Sequence, residues 1–280
     1  MKNKKTRYMT ILTAAIALSL TSCVKDELFN TPHPDQGAVI VTTDWSAKSA
    51  EAEIPQNYTL RMETEEQAVS GITNTFKTLL PQGSYELTAY NTPEHIGISG
   101  NTATVAESEP GYMEPMPGYL FSAHQTIDVM ADDTLKVTVP VKQLVRLLNV
   151  ELTVTEGDYN RVQSATATLD GVASRIDIVT GERTAAAKSL NTLVQNGNKF
   201  TTSFRLLGII PSASQKLTVS ILFTNGDTQQ IESDDILTDF NDRTEAKTLT
   251  GNLLLPIEAG VTGATITDWK ETDGGNVDAN

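Results

Sequence analysis

The only thiol in the chain is that of Cys23, and one sulfur can build neither a disulfide framework nor a thiolate zinc cluster. The three imidazoles, on His33, His95 and His124, are far apart, and none has a second His or a carboxylate at the spacing by which one helical face chelates a metal. Paired acids occur at Asp132-Asp133 and Asp234-Asp235, followed by Asp239-Phe240-Asn241-Asp242. Calcium needs six or more oxygens from a tight loop, commonly with alternating acids and a Gly. The run at 239–242 meets that pattern poorly, no Gly follows it, and it reads as solvated loop charge. A two-carboxylate glycosidase centre is assembled in space rather than along the chain, and nothing in the spacing points to one. Gly-x-Ser-x-Gly, a Gly-rich phosphate loop and His-Glu-x-x-His do not occur. The expectation is a protein that is not an enzyme, with no catalytic, metal-binding or cofactor-binding residue and no cofactor.

Recognition has one candidate stretch. Residues Glu107–Phe121 hold three Pro, two Gly, two Met and three aromatics, a mixture that suits neither a regular helix nor a central strand. It could be an exposed loop offering Tyr112 and Tyr119 to a partner or a sugar. The preferred reading is a long crossover whose Met and aromatic side chains cover one end of a sandwich. An exposed platform of Tyr112, Tyr119 and Trp45 would favour sugar stacking and a stand-alone glycan- or protein-binding role.

These residues have to be positioned by 280 residues of formal charge −14, with 39% hydrophobic content. That length supports a substantial core in one large or two ordinary domains, and the hydrophobic content is too high for a disordered chain. The acidic balance argues against nucleic acid as a partner, because phosphates would be repelled.

Residues 2–7 carry four positive charges, and an uncharged, mostly apolar run extends from Tyr8 to about Thr21. This is the layout of an export signal, too short to span a bilayer, which takes roughly 20 apolar residues. It ends Leu20-Thr21-Ser22-Cys23, which resembles the lipobox of bacterial lipoproteins, so Cys23 is the expected lipidation site. Its thiol would carry diacylglycerol, and several acyl chains give stable anchoring where one is marginal. Lys25-Asp26-Glu27 resembles the acidic export signal that Bacteroides-type bacteria place directly after the lipidated Cys, which implies the outer membrane and its outer face.

Beyond a tether rich in Pro and polar residues the period is two. Val39 and Val41 alternate, as do Tyr58, Leu60 and Met62; Tyr85, Leu87 and Ala89; Val137, Val139 and Val141; Val150, Leu152 and Val154; and Leu217, Val219, Ile221 and Phe223. Pro81-Gln82-Gly83, Asp170-Gly171, Thr180-Gly181, Asn196-Gly197 and Asn225-Gly226-Asp227 read as the turns between strands. Only Thr184–Val194, with its Ala run, reads as helical. The predicted class is all-β: two tandem antiparallel β-sandwiches. The expected divisions are a signal peptide over residues 1–22, a lipidated tether over 23–36, a first sandwich over 37–142 and a second over 143–280, the last with an acidic tail.

Five segments together resemble the fimbrillin superfamily of Bacteroides-type bacteria: the lipobox at Cys23, Gly37-Ala38-Val39-Ile40-Val41, Lys142-Gln143-Leu144-Val145-Arg146, Gly251-Asn252 and Ile266-Thr267-Asp268-Trp269. The resemblance implies lipoprotein precursors with two transthyretin-like sandwiches. It also implies other fimbrial subunits as partners, joined by donor-strand pairing, with the outer membrane held through the lipid. No Arg-protease maturation site opens the first sandwich, so the chain is more similar to anchor or accessory subunits than to the major stalk subunit.

Overall fold

The protein is described here from a computed structural model, which covers residues 35–233, 237, 239–256 and 263–273. Among these, strands dominate and the only helical elements are 3-10 turns at Tyr159–Arg161 and Phe240–Asp242. The chain opens with β1 (Gln36–Asp44), β2 (Asn57–Met62), β3 (Glu65–Ser70), β4 (Thr73–Thr75), β5 (Leu80–Pro81) and β6 (Gly83–Tyr90). An excursion follows: β7 (Ile96–Ser99), β8 (Thr102–Val105), β9 (Glu107–Glu109) and β10 (Tyr112–Met113). The chain then returns as β11 (Phe121–Val129), β12 (Thr134–Pro140) and β13 (Lys142–Gln143). The second half is built of β14 (Arg146–Glu156), β15 (Val162–Asp177), β16 (Arg183–Asn196), β17 (Lys199–Leu206), β18 (Leu217–Phe223), β19 (Thr228–Glu232), β20 (Lys247–Leu254) and β21 (Thr265–Asp273).

The first sandwich closes a sheet ordered β12-β1-β4, with β5 also on β1, over a sheet ordered β13-β11-β6-β2-β3. The period-two side chains meet between them: Val39, Val41, Tyr58, Leu60, Met62, Leu87 and Val139 are all buried. Trp45 sits edge-on to both Tyr58 and Phe121, with ring centroids 5.8 and 5.4 Å apart. Its indole N–H donates to Thr43 Oγ1 at 2.8 Å, so the ring's polar edge is satisfied inside the core.

In the second sandwich one ribbon of strands runs β19-β18-β15-β16-β17-β14-β20-β21. Strand β16 belongs to both layers, pairing with β15 up to Leu193 and with β17 from Val194 onward. Thr184–Val194, predicted helical, is therefore part of a 14-residue strand. Alanine favours a helix by only tenths of a kcal/mol per residue, and pairing to neighbours on both sides outweighs that preference. Asp170-Gly171, read as a turn, instead lies inside the 16-residue β15. The register against β16 slips there, and Gly171 has φ +69°, the signature of a bulge. Gly181, Gly197 and Gly226 do occupy turns, all with positive φ.

Pairing is mostly antiparallel, with two long exceptions: β1 runs parallel to β12 and β14 runs parallel to β20. Val141 is the last member of the first core and Leu144 lies in the second. The excursion joins the second core although it leaves from the first sandwich: β8 pairs with β15, β10 pairs with β16, and Ile96, Ala103, Met113 and Leu120 are buried there.

Candidate assembly edges

Cys23 and the segment Lys25, Asp26, Glu27 lie outside the described residues. The chain enters the fold at Gln36, whose carbonyl accepts from Asp132 N at 3.0 Å, while Ala38 N donates to the Asp133 carbonyl at 2.9 Å. The entry point is thus pinned to the β11–β12 turn. Strand direction fixes what lies at the other end. β1 and β12 both run from this pole to Asp44 and Pro140, and β6 and β11 bring Tyr90 and Ser122 to that same far end. There Ser122 Oγ donates to the Ile178 carbonyl of the second sandwich at 2.8 Å. Chain entry and second sandwich are at opposite ends of the first.

Strand β12 closes its sheet, and among the described residues no strand pairs with its outer side. Leu135 and Val137 point to the core but stay half-buried at this margin, and only Val139 is fully covered. Lys136 and Thr138 alternate with them and are exposed. An unpaired row of amides flanked by half-covered apolar side chains is a template for an added strand.

The equivalent margin of the second sandwich is covered. Strand β21 pairs antiparallel with β20 and is clamped by cations from beneath. Arg146 is 4% exposed; it donates through Nη2 to Asp273 Oδ1 at 2.9 Å, through Nη1 to the Phe240 carbonyl at 2.9 Å, and through Nε to the Glu245 carbonyl. Its guanidinium carbon lies 4.8 Å from the Phe240 ring centre. Arg243 reaches the other oxygen of Asp273 at 3.1 Å, and buried Lys247 pairs with Glu271. At mid-strand Asp268 takes φ +54°, the register slips opposite Gly251, and Asn252 Nδ2 donates to Asp268 Oδ2 at 2.9 Å. A Cβ on Gly251 would stand 2.7 Å from Ile266 Cγ2 and 3.2 Å from Trp269 Cε3, so the absent side chain makes the seat for both.

Sequence reading did not identify Arg146 and Lys247 as buried clamps, yet left a signal for them. Arg146 is in phase with Leu148, Val150, Leu152 and Val154, and Lys247 with Leu249 and Leu253. A cation on the inward register of an apolar strand requires a buried counter-charge.

Tyr112 and Tyr119 are half-buried rather than displayed. Tyr112 is half-buried in β10, beside Lys188 of β16. Tyr119 is half-buried against both cores, with the Arg205 guanidinium carbon 4.5 Å from its ring centre. Burial pushes its hydroxyl above the usual phenol range, with Arg205 acting the other way. Its carbonyl accepts from Asn91 Nδ2 at 2.9 Å, and Asn91 Oδ1 accepts from Phe121 N at 2.7 Å, which closes the base of the excursion. Trp45 is buried in the first core, so the three do not make an exposed platform. His124 meets Glu86 at 2.9 Å and Thr88 Oγ1 at 3.1 Å. Asn241 clamps Ile209, accepting from its N–H at 2.9 Å and donating to its carbonyl at 3.0 Å. Among the described residues no group of three His, Cys, Asp or Glu is placed to hold a metal. No helix among them is long and apolar enough to cross a membrane.

Comparison with known proteins adds the family. The model for the fimbrillin-A associated anchor proteins Mfa1 and Mfa2 matches residues 47–274. No curated protein matches the chain. Among solved structures, the fimbrial anchor protein Mfa2 from Porphyromonas gingivalis is similar at 11% identity, covering 85% of this chain and 98% of its own, with a TM-score of 0.59. A candidate adhesin from Bacteroides ovatus is similar at 10% identity, covering 85% and 95%, with a TM-score of 0.59. A candidate adhesin from Bacteroides thetaiotaomicron is similar at 14% identity, covering 87% and 99%, with a TM-score of 0.56. At such identities the likeness is one of fold.

Proposed function

Because the chain belongs to the family of fimbrillin-A associated anchor proteins, we propose that it is a non-catalytic surface lipoprotein that serves as an anchor or accessory subunit of a fimbrium. The observation that carries this reading is the family match across 47–274. The division of the chain near Lys142 belongs to the same reading, with the excursion of residues 91–120 reaching over to the second sandwich. Lipid on Cys23 would hold the outer membrane, and Lys25, Asp26 and Glu27 would direct the protein to its outer face. Twelve peptide units separate Cys23 from Asp35, a reach of at most about 40 Å.

The geometry supports a polarity. Chain entry lies at the pole of the first sandwich remote from the second, so a lipid at Cys23 leaves the second sandwich facing away from the membrane. The partners are other fimbrial subunits, and the contact is heterologous: a strand from a neighbour adds to the free margin of β12, with its apolar side chains over Leu135 and Val137. Main-chain hydrogen bonds give such a contact its strength and the alternate side-chain seats give it selectivity.

Envelope extracts of cells expressing fimbriae, immunoblotted with and without boiling, test the reading. The protein is expected in a heat-sensitive high-mass ladder in the envelope, and in the Cys23→Ala strain that ladder moves to the culture medium. A single monomer band, in cells whose other subunits still form ladders, would overturn it in favour of a stand-alone lipoprotein.

A further inference from the structure

The chain has a formal charge of −14, yet four cations line one cleft where the two sandwiches meet. Lys142, Arg146, Arg183 and Arg243 surround a space of about 320 Å³ whose single acidic lining residue, among the described residues, is Asp242, with Asp273 behind it paired to Arg146 and Arg243. Lys142 comes from β13 on the first sandwich, and Arg146, Arg183 and Arg243 come from the start of β14, the start of β16 and the chain after the second 3-10 turn.

The cations are not equally engaged. Arg146 uses all three of its nitrogens, on Glu245, Phe240 and Asp273. Arg183 donates through Nε to the Leu207 carbonyl at 2.6 Å and through Nη1 to the Gly181 carbonyl at a marginal 3.5 Å, and among the described residues its Nη2 has no hydrogen-bond partner. Arg183 is half-buried, and burial lowers its pKa from the ordinary value, with Asp242 pulling the other way. Its position is built into the backbone: a Cβ at Gly208 would come within 2.2 Å of Arg183 Nε and 2.4 Å of Asn241 Oδ1. Arg243 uses Nη1 on Asp273 at 3.1 Å and is 59% exposed at its side chain. Lys142 is exposed and makes no side-chain hydrogen bond among the described residues.

We propose that this cleft binds an oxyanion, a carboxylate or phosphate group of a ligand, with Arg183 as the principal donor and Lys142 and Arg243 completing the charge. A guanidinium presents a rigid planar fork that matches such groups, and in a protein this acidic a local excess of cations attracts an anion that most of the surface charge would repel. The site does not rest on the fimbrial reading and would survive its failure.

The test is calorimetric titration of the purified full chain with inorganic phosphate and, separately, with succinate, at matched ionic strength in sodium chloride. One saturable site is expected for at least one of them, and the preferred probe identifies the oxyanion as tetrahedral or carboxylate. Arg183→Gln is expected to weaken binding about tenfold, the scale of one charge-assisted hydrogen bond. Since that change also removes the Leu207 contact, Lys142→Gln and Arg243→Gln serve as second variants at exposed positions. Each is expected to weaken binding about threefold, the scale of one partly exposed charge pair; the melting temperature stays unchanged for Lys142→Gln, whereas Arg243→Gln also loses the pair with Asp273 and lowers it slightly. Absence of saturable binding to both anions, or equal binding by wild type and all three variants, would overturn the proposal.

Discussion

Each sandwich sets its first strand parallel to a late one, β1 beside β12 and β14 beside β20, but among the described residues only the second sandwich adds a strand on the far side of the late one. The burial of the two late strands shows what the addition does. Along β20 every second residue is fully buried and the rest are half-buried or better. Along β12, at the equivalent place, a single residue is fully buried and three are exposed. The missing cover leaves Leu135 and Val137 half-solvated, which costs about 25 cal/mol for each Å² of apolar surface left in water. That is an incentive to accept a strand, and β21 demonstrates how the same architecture looks when one has been accepted.

Uncovering the closed edge should give the largest effect. Arg146→Ala leaves the Phe240 and Glu245 carbonyls without their donor and Asp273 with Arg243 alone; because Asp273 is 34% exposed, the cost should be about 3 kcal/mol, the low end for a broken buried pair. The expected result is a urea midpoint lowered accordingly, with the amides of β21 losing hydrogen-exchange protection before those of β14. Unchanged stability and protection would mean that β21 is held by its backbone ladder alone. Gly251→Val attacks the same edge sterically, at the seat of Ile266 and Trp269. Overpacking of this kind costs about 1–3 kcal/mol, again read as a lowered midpoint, and an unshifted midpoint would show that β21 has room to slide outward.

How much of this contrast could be read from residues alone depends on what each feature needs. Strand faces are local: the alternation of Leu217, Val219, Ile221 and Phe223 needs no partner to be recognised, and all four are buried. The 184–194 stretch misled because Ala carries no pattern of its own, and its conformation is imposed by β15 and β17. The bulge at Gly171 misled because Asp-Gly serves both to reverse a strand and to bend one. Which edge stays open is not a local property at all. Nothing in Thr134–Pro140 says that β1 lies on one side and, among the described residues, no strand on the other, since that is a consequence of topology. The clamps lay between these cases: the phase of Arg146 and Lys247 was visible in the sequence, while their partners on a strand more than twenty residues from β20's start were not.

On the open edge the comparison predicts a separation of effects. Val137→Asp places a carboxylate where the side chain is only half-buried, so its cost to folding should be about 1 kcal/mol, well below that of a fully buried charge. In cells, however, the variant should be lost from the high-mass ladder, because an incoming strand would have to bury that charge. A ladder of normal intensity would place the subunit contact elsewhere than β12.

The smallest expected effect lies at the junction of the sandwiches, and it depends on pH. Burial acts to raise the pKa of Asp177, but the amides of Thr180 and Val179, the Thr180 hydroxyl and nearby His124 outweigh it and hold the carboxyl below the ordinary aspartate value. Both amides reach Oδ1 at 2.8 Å, and the turn they shape supplies Ile178 to Ser122 of the first sandwich. A carboxyl depressed in the folded state stabilises it fully above its unfolded pKa of about 3.9 and loses that contribution as pH falls through the lower folded value. Asp177→Asn should therefore change the melting temperature slightly at neutral pH and progressively less in acid below about pH 4, with the two proteins converging there. Because Asp177 touches neither β12 nor β21, the variant should leave both edges as they are: subunit capture and β21 protection unchanged, with only the pH profile moved. A difference between the two proteins that widens in acid would show that the turn is held by the neutral carboxyl instead.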